Sequence, residues 1–154
     1  MSPHILYLSN QASTVAIACH LASCDSNFLP PLSSRVDLND YAIKITRHAR
    51  RFEAWVDDTL IGLVAVYDND HAGGIAYITN VSTLPIWTGK GVATHLLQRC
   101  IEYEKQKKMV KLHLNVNKNH LHAIKLYEKR GFIANYNSVT SSNLDLHLNL
   151  IDVA

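Results

Sequence analysis

The chain has 154 residues, 47% of them apolar and 18% charged, with a formal net charge of +2. That is ordinary globular composition, expected to form a single domain over residues 1–154, and so small a charge with no basic run argues against a nucleic-acid or anionic-membrane partner. The start "MSPHILYLSNQAS" lacks the pattern of a secretory signal, no run reaches the ~18 apolar residues of a membrane span, and three cysteines (Cys19, Cys24, Cys100) without metal-like pairing point to reduced thiols in the cytoplasm.

"HILYLS" (4–9) favours an extended chain. From Gln11 to Cys24, Val15, Ala18, Cys19 and Leu21–Ala22 recur at helical spacing. Two prolines in "NFLPPLSS" (27–34) break that helix, and 36–49 reads as a second one capped by Asp37. "FEAWV" (52–56), a "DDT" turn and "LIGLVAVY" (60–67) form a hairpin. "DNDHAGG" (68–74) reads as a loop before the strand "IAYITNVST" (75–83). Val92, Leu96, Leu97, Cys100 and Ile101 then fall on one helical face, and the charged end "EYEKQKKMVK" (102–111) reads as a solvated surface. A strand (110–116), a short helix (120–130) stopped by Gly131, and strands over "FIANY" (132–136) and 143–151 complete the chain. The order β-α-α-β-β-β-α-β-α-β-β predicts an α/β (α+β) fold with one mixed, mostly antiparallel sheet and helices on both faces.

The segment "TGKGVAT" (88–94) joins a glycine turn to a helix start. The first N–H groups of a helix lack partners within it, and the helix dipole favours an anion beside them. Glycines let the backbone approach a bulky phosphate. The segment lacks the third glycine of a dinucleotide fingerprint and the Lys-Ser/Thr of a nucleotide-triphosphate loop. On the turn alone, a helix that simply begins after two glycines is the other reading.

With its neighbours, the turn resembles the GNAT superfamily of acetyl-CoA-dependent N-acetyltransferases. In that family a V-x-P segment ends the fourth strand and [QR]-x-x-G-x-[GA] opens a long helix. Here Thr83 stands at the valine position, and Pro85, Gly91 and Ala93 fit. The family's N-x-x-A-x-x-x-Y-x-x-x-G-F motif is similar to "HLHAIKLYEKRGF" (120–132), where Ala123, Tyr127, Gly131 and Phe132 fall in place. The resemblance implies acetyl-CoA as co-substrate, no metal, and an amine acceptor. It implies backbone pairing of Val81, Ser82 and Thr83 with the pantetheine arm and a pyrophosphate cradle of Gly89, Lys90, Gly91, Val92, Ala93 and Thr94. Asn119 or His120 would touch the cofactor, and Tyr127 would sit near the thioester sulfur as the candidate general acid, its expected contribution being a hydrogen bond that stabilises charge building on sulfur. Three positions depart from the family: Thr88 replaces Gln or Arg, His120 replaces Asn, and Asn115 occupies the place where some members carry a glutamate base.

An amine acceptor must attack as the neutral base. For a lysine-like group that costs about 4–5 kcal/mol at pH 7, against about 1 kcal/mol for an α-amino-like group. A site without a carboxylate at residue 115 therefore suits a low-pKa amine or a proton route through water, with His113 or His120 as candidate relays. Tyr77 and Asn80 are candidate acceptor-binding residues, beside a wall formed by the two early helices. The expected activity is acetyl transfer to a small-molecule amine, such as an amino sugar or amino acid. A protein N-terminus or lysine, or a non-catalytic acyl-CoA-binding module, is the alternative, and a homodimer is left open. The spacing of His113, His120 and His122 matches no zinc pattern.

Overall fold

The computed structural model describes residues 4–136 and 142–151, so the first three residues of the N-terminal stretch lie outside it. The elements run β1 (Leu6–Ser9), α1 (Thr14–Cys24), α2 (Leu38–His48), β2 (Arg50–Val56), β3 (Thr59–Asp70), β4 (Ile75–Thr83), α3 (Val92–Gln106), β5 (Lys111–Asn117), α4 (Leu121–Lys129), β6 (Ile133–Asn135) and β7 (Asn143–Asn149). One seven-stranded sheet has the order β1-β2-β3-β4-β5-β7-β6. Every neighbouring pair is antiparallel except β4 and β5. Helices α1 and α2 bury Ile17, Leu21, Ala42 and Ile45 on one face, while α3 and α4 bury Leu96, Leu97, Cys100 and Ile124 on the other. This is the expected α+β fold with its expected element order.

Local chemistry explains the element ends. Ser13 accepts a hydrogen bond from the Ala16 N–H at 3.1 Å, and Asp37 accepts one from the Asp40 N–H at 3.0 Å. These caps satisfy otherwise orphaned donors. Asp57 and Asp58, at φ 45° and 65°, make the two-residue turn between β2 and β3, the conformation that matches strand twist. Gly62 on β3 has no side chain where Val92 Cγ1 lies 2.6 Å from an ideal Cβ position, so the start of α3 rests directly on the sheet.

Two regions differ from the sequence reading. Helix α1 is apolar nearly all round, and its buried residues are Ile17, His20, Leu21 and Cys24, whereas Val15 and Cys19 face solvent. The segment from Asp68 to Gly74 is not all loop, because β3 runs through Asp70 and the turn is closed by the Asp70 carboxylate accepting from the Gly73 N–H. Asp68 is buried, and Arg50 and Lys107 reach its carboxylate at 2.8 and 3.2 Å. The charged end of α3 is thus partly interior: Glu104 is fully buried and Met109 packs into the core.

Among the described residues Glu104 has no conventional donor, and its neighbour is the Asp68 carboxylate. Burial first, and then Asp68, raise the Glu104 pKa to about 8; against the effect of its own burial, the hydrogen bond from Glu104, and then those from Arg50 and Lys107, lower the Asp68 pKa. One proton held between the two carboxyls satisfies both. A carboxyl whose folded pKa lies above its unfolded value binds its proton more tightly when folded, so stability falls as pH rises from about 4.5 to about 8. Thermal unfolding of Glu104→Gln, which keeps the shape and cannot ionise, should lose this decline; an unchanged slope would contradict it.

His20 carries the second pH effect. Its Nδ1 donates to the Leu60 carbonyl at 2.9 Å, and its Nε2 lies 2.8 Å from Ser82 Oγ, which in turn lies 2.7 Å from Asn80 Oδ1. Burial lowers its pKa from 6.5 to about 4, with the Leu60 bond opposing. The folded state therefore resists a proton that the unfolded state accepts. Stability is full above about 6.5 and falls by about 3 kcal/mol as pH drops to about 4. His20→Gln should flatten that acid limb in a pH series of unfolding midpoints.

Candidate active site

The site begins where β4 and β5 part. Their pairing runs from Ile75↔Lys111 to Ile78↔Leu114 and stops there, although β4 continues to Thr83 and β5 to Asn117. Thr79 is the extra residue of a bulge between the pairs Val66↔Ile78 and Ala65↔Asn80. The bulge bends the strand and exchanges its faces. Tyr41 of α2 holds it, with its hydroxyl 2.6 Å from the Thr79 carbonyl and 2.7 Å from Thr79 Oγ1. Beyond the bulge no described residue pairs with the β5-facing edge of β4.

The alternation of an antiparallel ladder decides what that edge offers. The Leu84 N–H bonds to the Ile61 carbonyl at 2.8 Å, so Ser82 also turns its backbone groups toward β3. Val81 and Thr83 turn theirs outward. Of the three residues expected to pair with a pantetheine arm, these two present backbone edges that no described strand pairs with, while Ser82 contributes its side chain to the His20 network.

At the end of β4 a turn over Pro85–Trp87 leads into Gly89, Lys90 and Gly91. Gly89 and Gly91 take φ of 76° and 82°, values that strain any other residue, and open space lies where a Cβ would project from either. Gly91 caps α3 with no side chain, and the first helical bond is the His95 N–H to the Gly91 carbonyl. The N–H groups of Val92, Ala93 and Thr94 precede that bond and point out of the helix end. The Val92 side chain is buried against the sheet, so its backbone alone is available there; Lys90 is exposed.

Along the flank of α3 from this end lies a recess of about 570 Å³ lined by Gly91, Thr94, His95, Gln98, Arg99, Glu102 and Arg130. Arg99 donates from Nε to His95 Nε2 at 3.0 Å, and the His95 ring stacks on Tyr7 at 3.7 Å. Partial burial first, and then the Arg99 charge, lower the His95 pKa. Arg130 has a buried Nε without a partner among the described residues. Two guanidiniums near a helix N-terminus favour an anion, and the Glu102 carboxylate in the same recess opposes them. The sequence reading missed both, although Arg99 falls two helical turns after Gly91.

Tyr127 lies on α4 with Ala123 and Ile124, buried, its ring edge-on to Phe132 at 6.0 Å. Burial pushes its phenol pKa well above the usual range. Its hydroxyl makes no hydrogen bond to the described residues. His120 sits half-buried at the start of α4, with a pKa lowered by burial and then by His122; Asn119 is exposed.

The other face of the sheet is open beside the parting strands. Tyr77 is 41% exposed there, whereas Asn80 is 4% exposed and committed to Ser82. Tyr77 pairs with His113, His113 with His147, and their imidazoles lie 5.9 Å apart. One step along, the Asn115 amide donates to the Asp145 carboxylate of β7. Burial, and then Asp145, raise the Tyr77 pKa, while Arg35 opposes them. The sequence reading missed Asp145 and Arg35. Among the described residues no three metal-binding side chains converge, and no helix is long and apolar enough to cross a membrane.

Comparison with known proteins gives a consistent picture. The profile of the acetyltransferase (GNAT) family matches residues 16–132. No curated protein matches the chain in sequence. Solved structures share the fold. The ribosomal-protein-S18-alanine N-acetyltransferase of Escherichia coli has 17% identity and a TM-score of 0.74, covering 98% of this chain and 97% of its own. The PaiA N-acetyltransferase of Thermoplasma acidophilum, in complex with coenzyme A, has 16% identity and a TM-score of 0.72, covering 97% and 99%. YncA of Salmonella typhimurium, with acetyl-CoA, has 15% identity and a TM-score of 0.74, covering 97% and 96%.

Proposed function

Because the chain belongs to the acetyltransferase (GNAT) family and is thus an acetyl-CoA-dependent N-acetyltransferase, we propose that it acetylates a primary amine of a small molecule, such as an amino sugar or amino acid. The amine attacks the thioester directly. The observation that carries this reading is the opening between β4 and β5, with a strand edge that no described residue pairs with and a helix N-terminus without a side-chain cap at one end.

The residues fit the co-substrate. Val81 and Thr83 offer backbone groups for the amides of a pantetheine arm, as a sheet edge does for a peptide. The N–H groups of Val92, Ala93 and Thr94, with the Gly89–Lys90–Gly91 backbone beside them, form the pyrophosphate cradle. Arg99 and Arg130 suit further phosphate charge. The thioester end then lies toward Thr79, with Tyr127 supplying a hydrogen bond to the sulfur. A phenol pushed upward by burial is a poor proton donor and a sound neutral hydrogen-bond donor, so its role is to stabilise charge building on the sulfur.

A protein N-terminus is the second reading. Tyr77 and Ile133 are exposed on this face, and the Escherichia coli neighbour is named for an alanine of a ribosomal protein. Thiol release from acetyl-CoA with alanine, glucosamine, spermidine and an alanyl peptide separates these cases. Release with a small amine alone supports the first, release with the peptide alone supports the second, and no release with acetyl-CoA bound contradicts both.

A further inference from the structure

Transfer to an amine needs a seat for positive charge beside the thioester and a route for the proton. The position expected to carry a carboxylate holds Asn115, and the sheet supplies one from the adjacent strand. Asp145 stands opposite Asn115 in the β5–β7 ladder and accepts a hydrogen bond from its amide. Leu112, Leu114, Leu144 and Leu146 pack toward α3 and α4, so strand alternation turns Asn115 and Asp145 to the opposite, open face.

Their level along the sheet is also defined. Extending the β4–β5 register one step past Ile78↔Leu114 brings Asn115 level with Thr79, the bulge residue at which the strands part. Asp145 therefore lies in line with the mouth of the opening, two strand spacings or roughly 10 Å from β4. Among the described residues of β4, β5, β6 and β7 it is the only carboxylate. The groups around it are Tyr77 from β4, Lys111 and His113 from β5, His147 on its own strand, and Arg35 from the turn before α2.

Resting on the acetyl-transfer reading above, we propose that Asp145 is a catalytic residue: its carboxylate, held at the mouth by Asn115, seats the acceptor's ammonium and takes its proton. The ammonium gives one proton to the carboxylate, which passes it to water. The freed nitrogen lone pair forms the C–N bond to the acetyl carbon. The C–S bond breaks with its electron pair on sulfur, and the second nitrogen proton ends on that sulfur, giving an amide and a free thiol. A carboxylate is a weak base toward a lysine-like ammonium, so this arrangement favours α-amines over ε-amines.

The test is thiol release at saturating acetyl-CoA with alanine, glucosamine, spermidine and an alanyl peptide, for the wild type, Asp145→Asn, and the exchange variant Asn115→Asp/Asp145→Asn. Acetyl-CoA titration accompanies each. Asp145→Asn should lower kcat/KM for the preferred amine about 10²-fold or more, while acetyl-CoA affinity changes less than about twofold. The exchange variant, which keeps the hydrogen-bonded pair and moves the charge one strand nearer, should recover most of the loss. Wild-type kcat/KM in Asp145→Asn overturns the proposal. Should that variant not fold, the exchange variant decides: folded, binding acetyl-CoA and active supports the role of the carboxylate, and folded, binding and inactive overturns it. A wild type that binds acetyl-CoA and releases no thiol with any of these amines overturns the acetyl-transfer reading itself, and the role of Asp145 with it.

Discussion

Replacing Tyr127 with phenylalanine is expected to lower kcat about 10²–10⁴-fold while acetyl-CoA affinity and the unfolding midpoint stay near wild type. The split follows from what the hydroxyl does and does not touch. The ring packs edge-on to Phe132 inside the α3–α4 core, and phenylalanine keeps that contact. The hydroxyl bonds to none of the described residues, so its loss removes no internal hydrogen bond there. What remains for it is a hydrogen bond to the sulfur as charge builds. Because burial pushes its pKa up, Tyr127 stays protonated through the working range, and the kcat–pH profile should show no fall from this group below about pH 10. Unchanged turnover in Tyr127→Phe would assign the residue to packing alone.

Gly91→Val should weaken acetyl-CoA binding about 10²-fold or more, with a smaller effect on folding. At φ 82° a β-branched residue costs about 1–3 kcal/mol of strain, which the chain can shed by turning the peptide and moving the first N–H groups of α3. The protein itself leaves open space around this position, so no steric collision within the core adds to that cost. The loss falls on the anion site: each charge-assisted hydrogen bond is worth about 1.5–3 kcal/mol, and losing two corresponds to at least about 100-fold. Calorimetric titration of acetyl-CoA beside a thermal unfolding curve separates the two effects. An equal drop in both would mean that Gly91 serves the fold and not the cradle.

The parts of this molecule legible in the sequence are those set by local chemistry. Asp37 and the glycine at 91 mark helix starts, the Asp57–Asp58 pair marks a turn, and apolar spacing places the buried face of α3. The element order followed, and with it the sheet with helices on both faces. Less legible was whatever depends on pairing between distant strands. Asp145 becomes interesting only once β7 inserts between β5 and β6, thirty residues in sequence from Asn115. Asp68 and Glu104 read as a loop and a solvated helix end because their charges suggest water; the fold instead closes them in with Arg50 and Lys107. On α1 a nearly uniform apolar composition left the buried side undetermined, and His20, the residue that ties α1 to β4, was not singled out.

The most direct test of acetyl transfer from a cofactor held at Gly91 is acceptor-dependent thiol release from acetyl-CoA, measured for the wild type and Gly91→Val side by side. Release by the wild type is expected only when an amine is present, with the amine recovered as its N-acetyl product, and little release by a folded Gly91→Val at the same acetyl-CoA concentration. Release that ignores the amine, or that is equal in the two proteins, would contradict it.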